Sequence, residues 1–407
     1  MPRERREQLA LLNAGLAGQR VTVRIEGGRI AAIGHDAPRR EDLVVDLRGD
    51  RILPGLINAH DHLQLNSLPR PTDRRRYRHV RDWIGDIDTQ RRVEGELKRS
   101  VAVPLEERLL LGGVKNLLSG VTTVAHHDPL FLSLRNPAYP VQVVANYGWS
   151  HSLYLDGEDK VCDSYLRTPA AWPWIIHAAE GVDTQARAEF ERLDALGCLG
   201  ANTLIVHGVA LDERQRRRLI DAAAGLLWCP VSNHFLFGTT ARVTALLRAG
   251  RVALGTDSRL TGSRDLLDEL RVAVELGQLD RATAEALVTC DAARLLRLAD
   301  CGALETSARA DILVLPAGMP LSQATRADVR LVMVGGIARY GDRDYLQALR
   351  QDTVEVRVDG RAKHLDGDLA AVLSAASAQE PGLELTETTR RRVGKTIREN
   401  QCSSASC

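Results

Sequence analysis

Two histidines one residue apart, His60 and His62, follow the apolar, β-prone run Ile52-Leu-Pro-Gly-Leu-Ile-Asn-Ala59. On a strand, side chains at i and i+2 point to the same side. Both imidazoles can therefore aim at one point just past the strand's end, which suits a borderline cation such as Zn²⁺. A His-x-His pair alone is common on strands, so the question is whether the chain supplies further ligands. Three more groups close apolar runs: His177 ends Trp174-Ile-Ile-His177, His207 ends Thr203-Leu-Ile-Val-His207, and Asp257 ends Val252-Ala-Leu-Gly-Thr-Asp257. Glu180 lies three residues beyond His177. A set of this kind can hold a cation, activate water and move a proton.

Positioning such groups at one mouth requires strands that all end on the same side. The central chain alternates apolar runs with helical patterns. The runs begin near Val121, Val141, Trp174, Thr203, Leu226 and Val252, and the helical patterns include 185–196 and 211–224. Apolar runs bounded by Gly or Pro and separated by helices imply parallel βα units. Enough units in a row suggest a (β/α)₈ barrel, whose chemistry sits at the C-terminal ends of its strands. One stretch is compressed. About 27 residues separate the Val141 strand from the Trp174 strand, where a βα unit takes more than about 30. Either a short fourth strand lies near 148–155 or the barrel is distorted there.

The two ends of the chain are β-rich. Val21 to Glu26, a Gly27-Gly28 turn, Arg29 to Ile33 and Leu43 to Leu47 precede the barrel, while 310–315, 329–338 and 354–358 follow it. Alternation around Gly-Gly is a hairpin signal. The expected fold is a distorted (β/α)₈ TIM barrel with a small β-sandwich built from the N- and C-terminal segments. The expected division is 1–57, first part of the sandwich; 58–306, barrel; 307–387, second part with a C-terminal helix; and 388–407, a basic, mobile tail. Residues 63–98 are Arg-rich (Arg74, Arg75, Arg76, Arg78, Arg81) and fall over the barrel mouth. That segment reads as a solvated face, a homodimer contact or a contact to an anionic substrate.

Composition narrows the class. The chain has 407 residues, 44% hydrophobic and 26% charged, with a net charge of +1, so nothing global favours nucleic acid or membrane. No apolar run is long enough to span a bilayer. The charged start Met-Pro-Arg-Glu-Arg-Arg lacks a signal core, so a cytoplasmic location is expected. Seven scattered cysteines argue against a disulfide framework. Five of them, Cys162, Cys198, Cys229, Cys290 and Cys301, read as small buried apolar residues. Cys402 and Cys407 fall in the tail.

His60-x-His62 after Pro-Gly-Leu-Ile-Asn-Ala, His177-Ala-Ala-Glu180, Val206-His207-Gly, Cys229-Pro-Val-Ser-Asn233, Leu254-Gly-Thr-Asp257-Ser and the terminal Gly302 to Leu315 run resemble the amidohydrolase superfamily. The similarity is to its branch of guanine, cytosine, S-adenosylhomocysteine and triazine deaminases or hydrolases, and covers about residues 20–340. The resemblance implies one divalent metal, Zn²⁺ first with Fe²⁺ or Mn²⁺ as alternatives. Its ligands would be His60, His62, His177 and Asp257. It makes Glu180 the proton shuttle, and His207 the group that orients the water or the developing oxyanion. Two-metal branches add a carboxylated lysine. No lysine stands at a strand end here, since Lys160 lies in a Gly-Glu-Asp-rich stretch, so one metal is expected. The sequence departs from the family in three places: the compressed stretch, Asp61 between the histidines, and the runs His126-His127-Asp128 and Tyr147-Gly-Trp149-Ser-His151.

Only one of His126 and His127 can face the site. His126, Trp149, His151 and Arg259 are candidate substrate contacts: Trp149 by stacking, Arg259 by pairing a carboxylate. Asn233 reads as fixing loop geometry and His234 as a mouth or surface residue. His35, His79 and His364 read as surface residues. The expected activity is hydrolysis of a non-peptide C–N bond in a small molecule. The first form is deamination of a cyclic amidine by metal-activated water. Ring opening of a cyclic amide or imine, imidazolone-like, is the alternative. A non-catalytic binding protein on this fold is the third reading, disfavoured by the intact ligand set.

Overall fold

The computed structural model describes residues 8–71, 75–93 and 95–386. Arg74 and the tail from 388, with Cys402 and Cys407, lie outside them. Eight parallel strand pieces follow one another in chain order: β1 (Leu56–Asp61), β2 (Val121–His126), β3 (Gln142–Val143), β4 (Gly148–Ser150), β5 (Trp174–Ala178), β6 (Thr203–His207), β7 (Gly225–Trp228) and β8 (Val252–Leu254). Hydrogen bonding groups them as two sheets, β1-β2-β3 and β4-β5-β6-β7-β8. Ile57 and Ala59 of β1, Ala125 of β2, Ile175 of β5, Val206 of β6, Leu227 of β7 and Ala253 of β8 share one buried apolar cluster. The two sheets therefore enclose a common core, giving a TIM-barrel-like α/β layer without the closed hydrogen-bonded cylinder expected from the repeat.

The split falls in the compressed stretch. β3 pairs with β2, through Thr123 with Gln142, and β4 pairs with β5, through Trp174 with Gly148. Only 144–147 lie between β3 and β4. Adjacent parallel strands need a crossover of about a dozen residues, which four residues cannot supply. The crossover helix of a normal βα unit is therefore missing between them, and the sheet is broken there, with β3 ending one sheet and β4 beginning the other. The helix Glu158–Arg167 follows β4, and Lys160 sits on it.

The β-rich part is one continuous eleven-stranded sheet, so hydrogen bonding does not divide it into the two layers of a sandwich. N- and C-terminal segments meet where Arg51–Pro54 pairs antiparallel with Ile312–Leu315, Leu53 opposite Leu313. From there the chain passes directly into β1 through Gly55. A Cβ on Gly55 would lie 2.3 Å from the Thr122 side chain, so only glycine allows β1 to settle against β2. The C-terminal helix is Gly367–Ala375, with Asp366 capping its N-terminus. Among the cysteines, Cys198 and Cys229 are buried and Cys162 and Cys301 half-buried, but Cys290 is exposed. No described helix is long and apolar enough to cross a membrane.

Candidate metal centre and active site

β1, β5 and β6 deliver His60, His62, His177 and His207 to one mouth, and the turn after β8 delivers Asp257. The His60 and His62 Nε2 atoms each lie 3.3 Å from His177 Nε2. Asp257 Oδ1 is 3.8 Å from His62 Nε2, and its backbone N–H donates to His60 O at 3.0 Å. The local backbone is unusual here: Ala179, His207 and Asp257 all have positive φ, at 54°, 71° and 53°. Left-handed non-glycine residues cost energy and persist only where their surroundings hold them. Three of them at strand ends turn the Glu180, His207 and Asp257 side chains toward one centre.

The partners of each ring determine where its proton sits. His62 Nδ1 meets Asp128 Oδ2 at 2.8 Å and His177 Nδ1 meets His151 O at 2.8 Å. Each acceptor holds the ring proton on Nδ1, leaving the Nε2 lone pair free. Lone pairs facing one another at 3.3 Å repel unless a cation lies among them. About 3.3 Å is also the expected spacing of nitrogens held roughly 2.0–2.1 Å from one tetrahedral zinc. The donor set thus fits a divalent metal, and the Asp128–His62 contact is the outer carboxylate such sites use to orient a ligand.

The electrostatics agree. Burial and the neighbouring rings push His60 and His177 well below the usual imidazole range. Burial opposes charge on His62 too, but Asp128 and Asp257 outweigh it and raise it to about 9. The carboxylates thus favour a positive charge where the imidazoles converge, whether a proton on His62 or a cation in its place. Burial is offset at Asp257 by His62, His207 and the Ser232 hydroxyl, which hold its carboxyl below the ordinary range. Ser232 Oγ and Thr261 Oγ1 donate to Asp257 Oδ2 at 2.7 and 2.8 Å.

Glu180 and His207 stand beside this centre. Glu180 is buried, and burial with the Asp257 charge raises its carboxyl well above the usual value, so it keeps its proton. Asn233 Oδ1 lies 2.8 Å from His207 Nδ1. That contact keeps the His207 proton on Nδ1 and its Nε2 lone pair 3.4 Å from Glu180 Oε1. Asn233 thus orients the His207 ring, a contact beyond the loop geometry expected of it.

The remaining candidates divide. His127, not His126, joins the cluster: nitrogens of His60, His62, His127 and His177 lie within 4.8 Å of one another, and His127 stacks on His177 at 4.3 Å. His126 turns the other way, its Nδ1 accepting from Leu63 N–H at 3.3 Å. His151 and Trp149 lie at the mouth, ring centroids 4.8 Å apart, with His151 Nε2 3.6 Å from Asp128 Oδ1. Arg259 is held by protein groups. Its guanidinium pairs with Glu380 (Nη1–Oε2 2.7 Å) and donates to Arg264 O at 2.9 Å. His79, expected at the surface, is buried. His234 belongs to the helix Pro230–Phe237, with its Nε2 buried.

One buried group was missed altogether. Lys115, on the helix Leu105–Leu118, places Nζ 3.2 Å from Asp61 Oδ2, 3.0 Å from Thr256 Oγ1 and 3.3 Å from Asp257 O. It ties the end of β1 to the turn after β8, beside the convergent histidines. A lysine inside the apolar run Leu109 to Leu118, with Asp61 between two candidate ligands, was the available signal.

Comparison with known proteins places this geometry. The amidohydrolase family model matches residues 173–338. A 5-methylthioadenosine/S-adenosylhomocysteine deaminase of Haloquadratum walsbyi is 35% identical over 351 residues, 76% of each chain. The chain belongs to the amidohydrolase family. As an amidohydrolase it is a hydrolytic enzyme acting on C–N bonds. A second deaminase of the same description, from Halobacterium salinarum, is 26% identical over 80% of this chain and 89% of its own. Among solved structures, an adenosine deaminase from Xanthomonas campestris with bound zinc aligns with TM-score 0.66 and 20% identity, covering 83% of this chain and 93% of its own. An atrazine chlorohydrolase from Arthrobacter aurescens, complexed with zinc and atraton, aligns with TM-score 0.68 and 17% identity, covering 81% and 94%. At those identities the solved structures speak to the fold alone.

Proposed function

We propose that this amidohydrolase deaminates a nitrogen heterocycle of the adenine-nucleoside type. The carrying observation is a buried carboxyl, Glu180, beside three imidazoles that converge on one point. The 35% identical deaminase supports the substrate class. His60, His62, His177 and Asp257 would hold one divalent cation, zinc by the fit of three imidazoles and a carboxylate. When bound, that cation supplies a water acidified toward neutral pH.

The chain's own residues do the rest. The oxygen of water adds to the ring carbon bearing the amino group. Glu180 gives its proton to the adjacent ring nitrogen, so the ring does not have to carry the negative charge. His207 Nε2, with its Nδ1 proton committed to Asn233, accepts a hydrogen bond from the attacking water and orients it. The proton taken from water passes by way of Asp257 to the amino group, the carbon–amine bond breaks to release ammonia, and the hydroxyl left on the ring carbon returns its proton to Glu180 as it becomes the carbonyl. Trp149 and His151 are the nearest flat surfaces for the heterocycle.

The finer architecture follows the same reading. The two parallel sheets form a distorted (β/α)₈ barrel, closed where the turn after β8 meets β1, with residues 58–306 as the catalytic unit. The test is ammonia release from a panel holding adenosine, 5-methylthioadenosine, S-adenosylhomocysteine, guanine and a triazine, with zinc-loaded protein. Products of mass shifted by loss of ammonia and gain of water support it. A product that gains water and keeps all its nitrogen sinks it.

A further inference from the structure

Residues 75–92 form an arm that ends in the helix Val80–Arg92 and reaches back to the strand-end loops. Tyr77 N–H donates to Leu236 O at 2.9 Å, and Val80 packs with Leu236 and Phe237. The arm also pairs with the turn that carries Glu180. His79 bridges Gly181 in antiparallel fashion. Val80 N–H donates to Glu180 O at 3.1 Å, and Val182 N–H donates to Arg78 O at 2.8 Å. The approach is so close that a Cβ on Gly181 would lie 2.6 Å from Arg78 O.

One imidazole ties these pieces together. His79 caps the arm helix, its Nδ1 accepting from Arg81 N–H at 3.2 Å. That leaves the proton of the neutral ring on Nε2, which lies 3.3 Å from Glu189 Oε1. The other oxygen of Glu189 accepts from Ala179 N–H at 2.9 Å. Ala179 is the residue before Glu180 and holds a left-handed φ of 54°. The Glu180 backbone is thus gripped on one side by Glu189 and on the other by the arm. His79 is the link between the two grips, and it is buried with 3% of its surface exposed.

We infer that His79 and Glu189 are positioning residues that lock the Glu180 turn against the arm. This rests on Glu180 carrying the proton of the proposed reaction. Neither side chain is among the groups that converge on the metal centre, so their loss leaves the imidazole cluster intact. Its effect falls on where the Glu180 carboxyl sits when the ring nitrogen needs a proton. A misplacement of about 1 Å can cost roughly 100-fold in rate, which is the scale on which the lock matters.

The experiment compares wild type with His79→Ala, Glu189→Leu, Glu189→Gln and the double variant His79→Ala/Glu189→Leu. Hydrogen exchange of segments 75–93 and 178–183 is read together with kcat, KM and zinc content. The expected result is faster exchange in both segments for His79→Ala and Glu189→Leu, with zinc content unchanged. kcat should fall about 10- to 100-fold with little change in KM. Glu189→Gln, which keeps an acceptor for Ala179 N–H, should retain most of kcat. The double variant should be no worse than the poorer single variant, because both act on one lock. Wild-type exchange in 178–183 for both His79→Ala and Glu189→Leu overturns the inference, as does an unchanged kcat in both. The exchange readout needs no substrate. Failure of wild type to release ammonia would therefore overturn the proposed reaction while the lock is judged separately.

Discussion

His207 Nε2 and Glu180 Oε1, both buried, lie 3.4 Å apart. Their protonation states are complementary. Burial and Asp257 keep the proton on Glu180, while burial lowers His207 below the usual imidazole range and Asn233 fixes its remaining proton on Nδ1. A proton donor and a proton acceptor thus stand side by side next to the convergent histidines, the arrangement the proposed reaction needs to protonate a ring and orient a water in one step.

Glu180→Gln keeps the shape and removes the proton. We expect kcat to fall about 10²- to 10⁴-fold with zinc content unchanged. In wild type, kcat should decline as pH rises through the raised value of this carboxyl, because the working form is the protonated one. Steady-state rates across pH, with metal analysis of both proteins, check this. Equal rates for the two proteins would remove Glu180 from the reaction.

Asp128 orients His62 and contributes charge without touching the convergent nitrogens. Asp128→Asn should weaken zinc binding about 10- to 100-fold. Competition against a chelating indicator measures it. Unaltered affinity would leave Asp128 as a passive neighbour of His151.

Arg259 is a structural cation. Its side chain is 10% exposed and that of its partner Glu380 is fully buried. Arg259→Met should destabilise the fold by about 3 kcal/mol, since a buried carboxylate loses one of its cations. Arg326, 2.7 Å from the same carboxylate, keeps the loss from being larger. Denaturant unfolding reads the stability and steady-state kinetics read KM, which should stay at the wild-type value. A KM increase without loss of stability would return Arg259 to the substrate.

Glu269 gives a pH signature of stability. Burial raises its carboxyl from 4.5 to about 7, although Val231 N–H donates to it at 2.9 Å. A carboxyl raised on folding binds its proton more tightly in the native state than in the unfolded one. Below its unfolded value both states are protonated and the group is neutral to stability. As pH rises toward about 7, the unfolded chain ionises first and the native state loses ground, by up to about 1.4 kcal/mol per pH unit. Above that, the penalty is constant. Glu269→Gln removes this dependence, so its stability relative to wild type should rise across the same interval. Unfolding curves at several pH values test it; parallel profiles for the two proteins would contradict it.

Much of the site was legible because it follows local rules. His60 and His62 share a side through the two-residue period of a strand, and His177 and His207 close apolar runs that fold as parallel strands. The β-rich ends announce themselves by alternation and Gly-Gly turns. The 144–147 link was legible as a shortage of residues, though not as a division of the strands into three and five.

What the chain alone determined is the set of groups carried to strand ends, because strand period and apolar runs act over a few neighbouring residues. Tertiary structure decided which of those groups work together. His127 rather than His126 entered the cluster, Glu380 claimed Arg259, Lys115 was drawn against Asp61, and His79 was buried against Glu189. Each outcome depends on a partner far away in the chain, and on the cost of burying a charge or hydrogen-bonding group without one. That cost is invisible until the fold brings the two together.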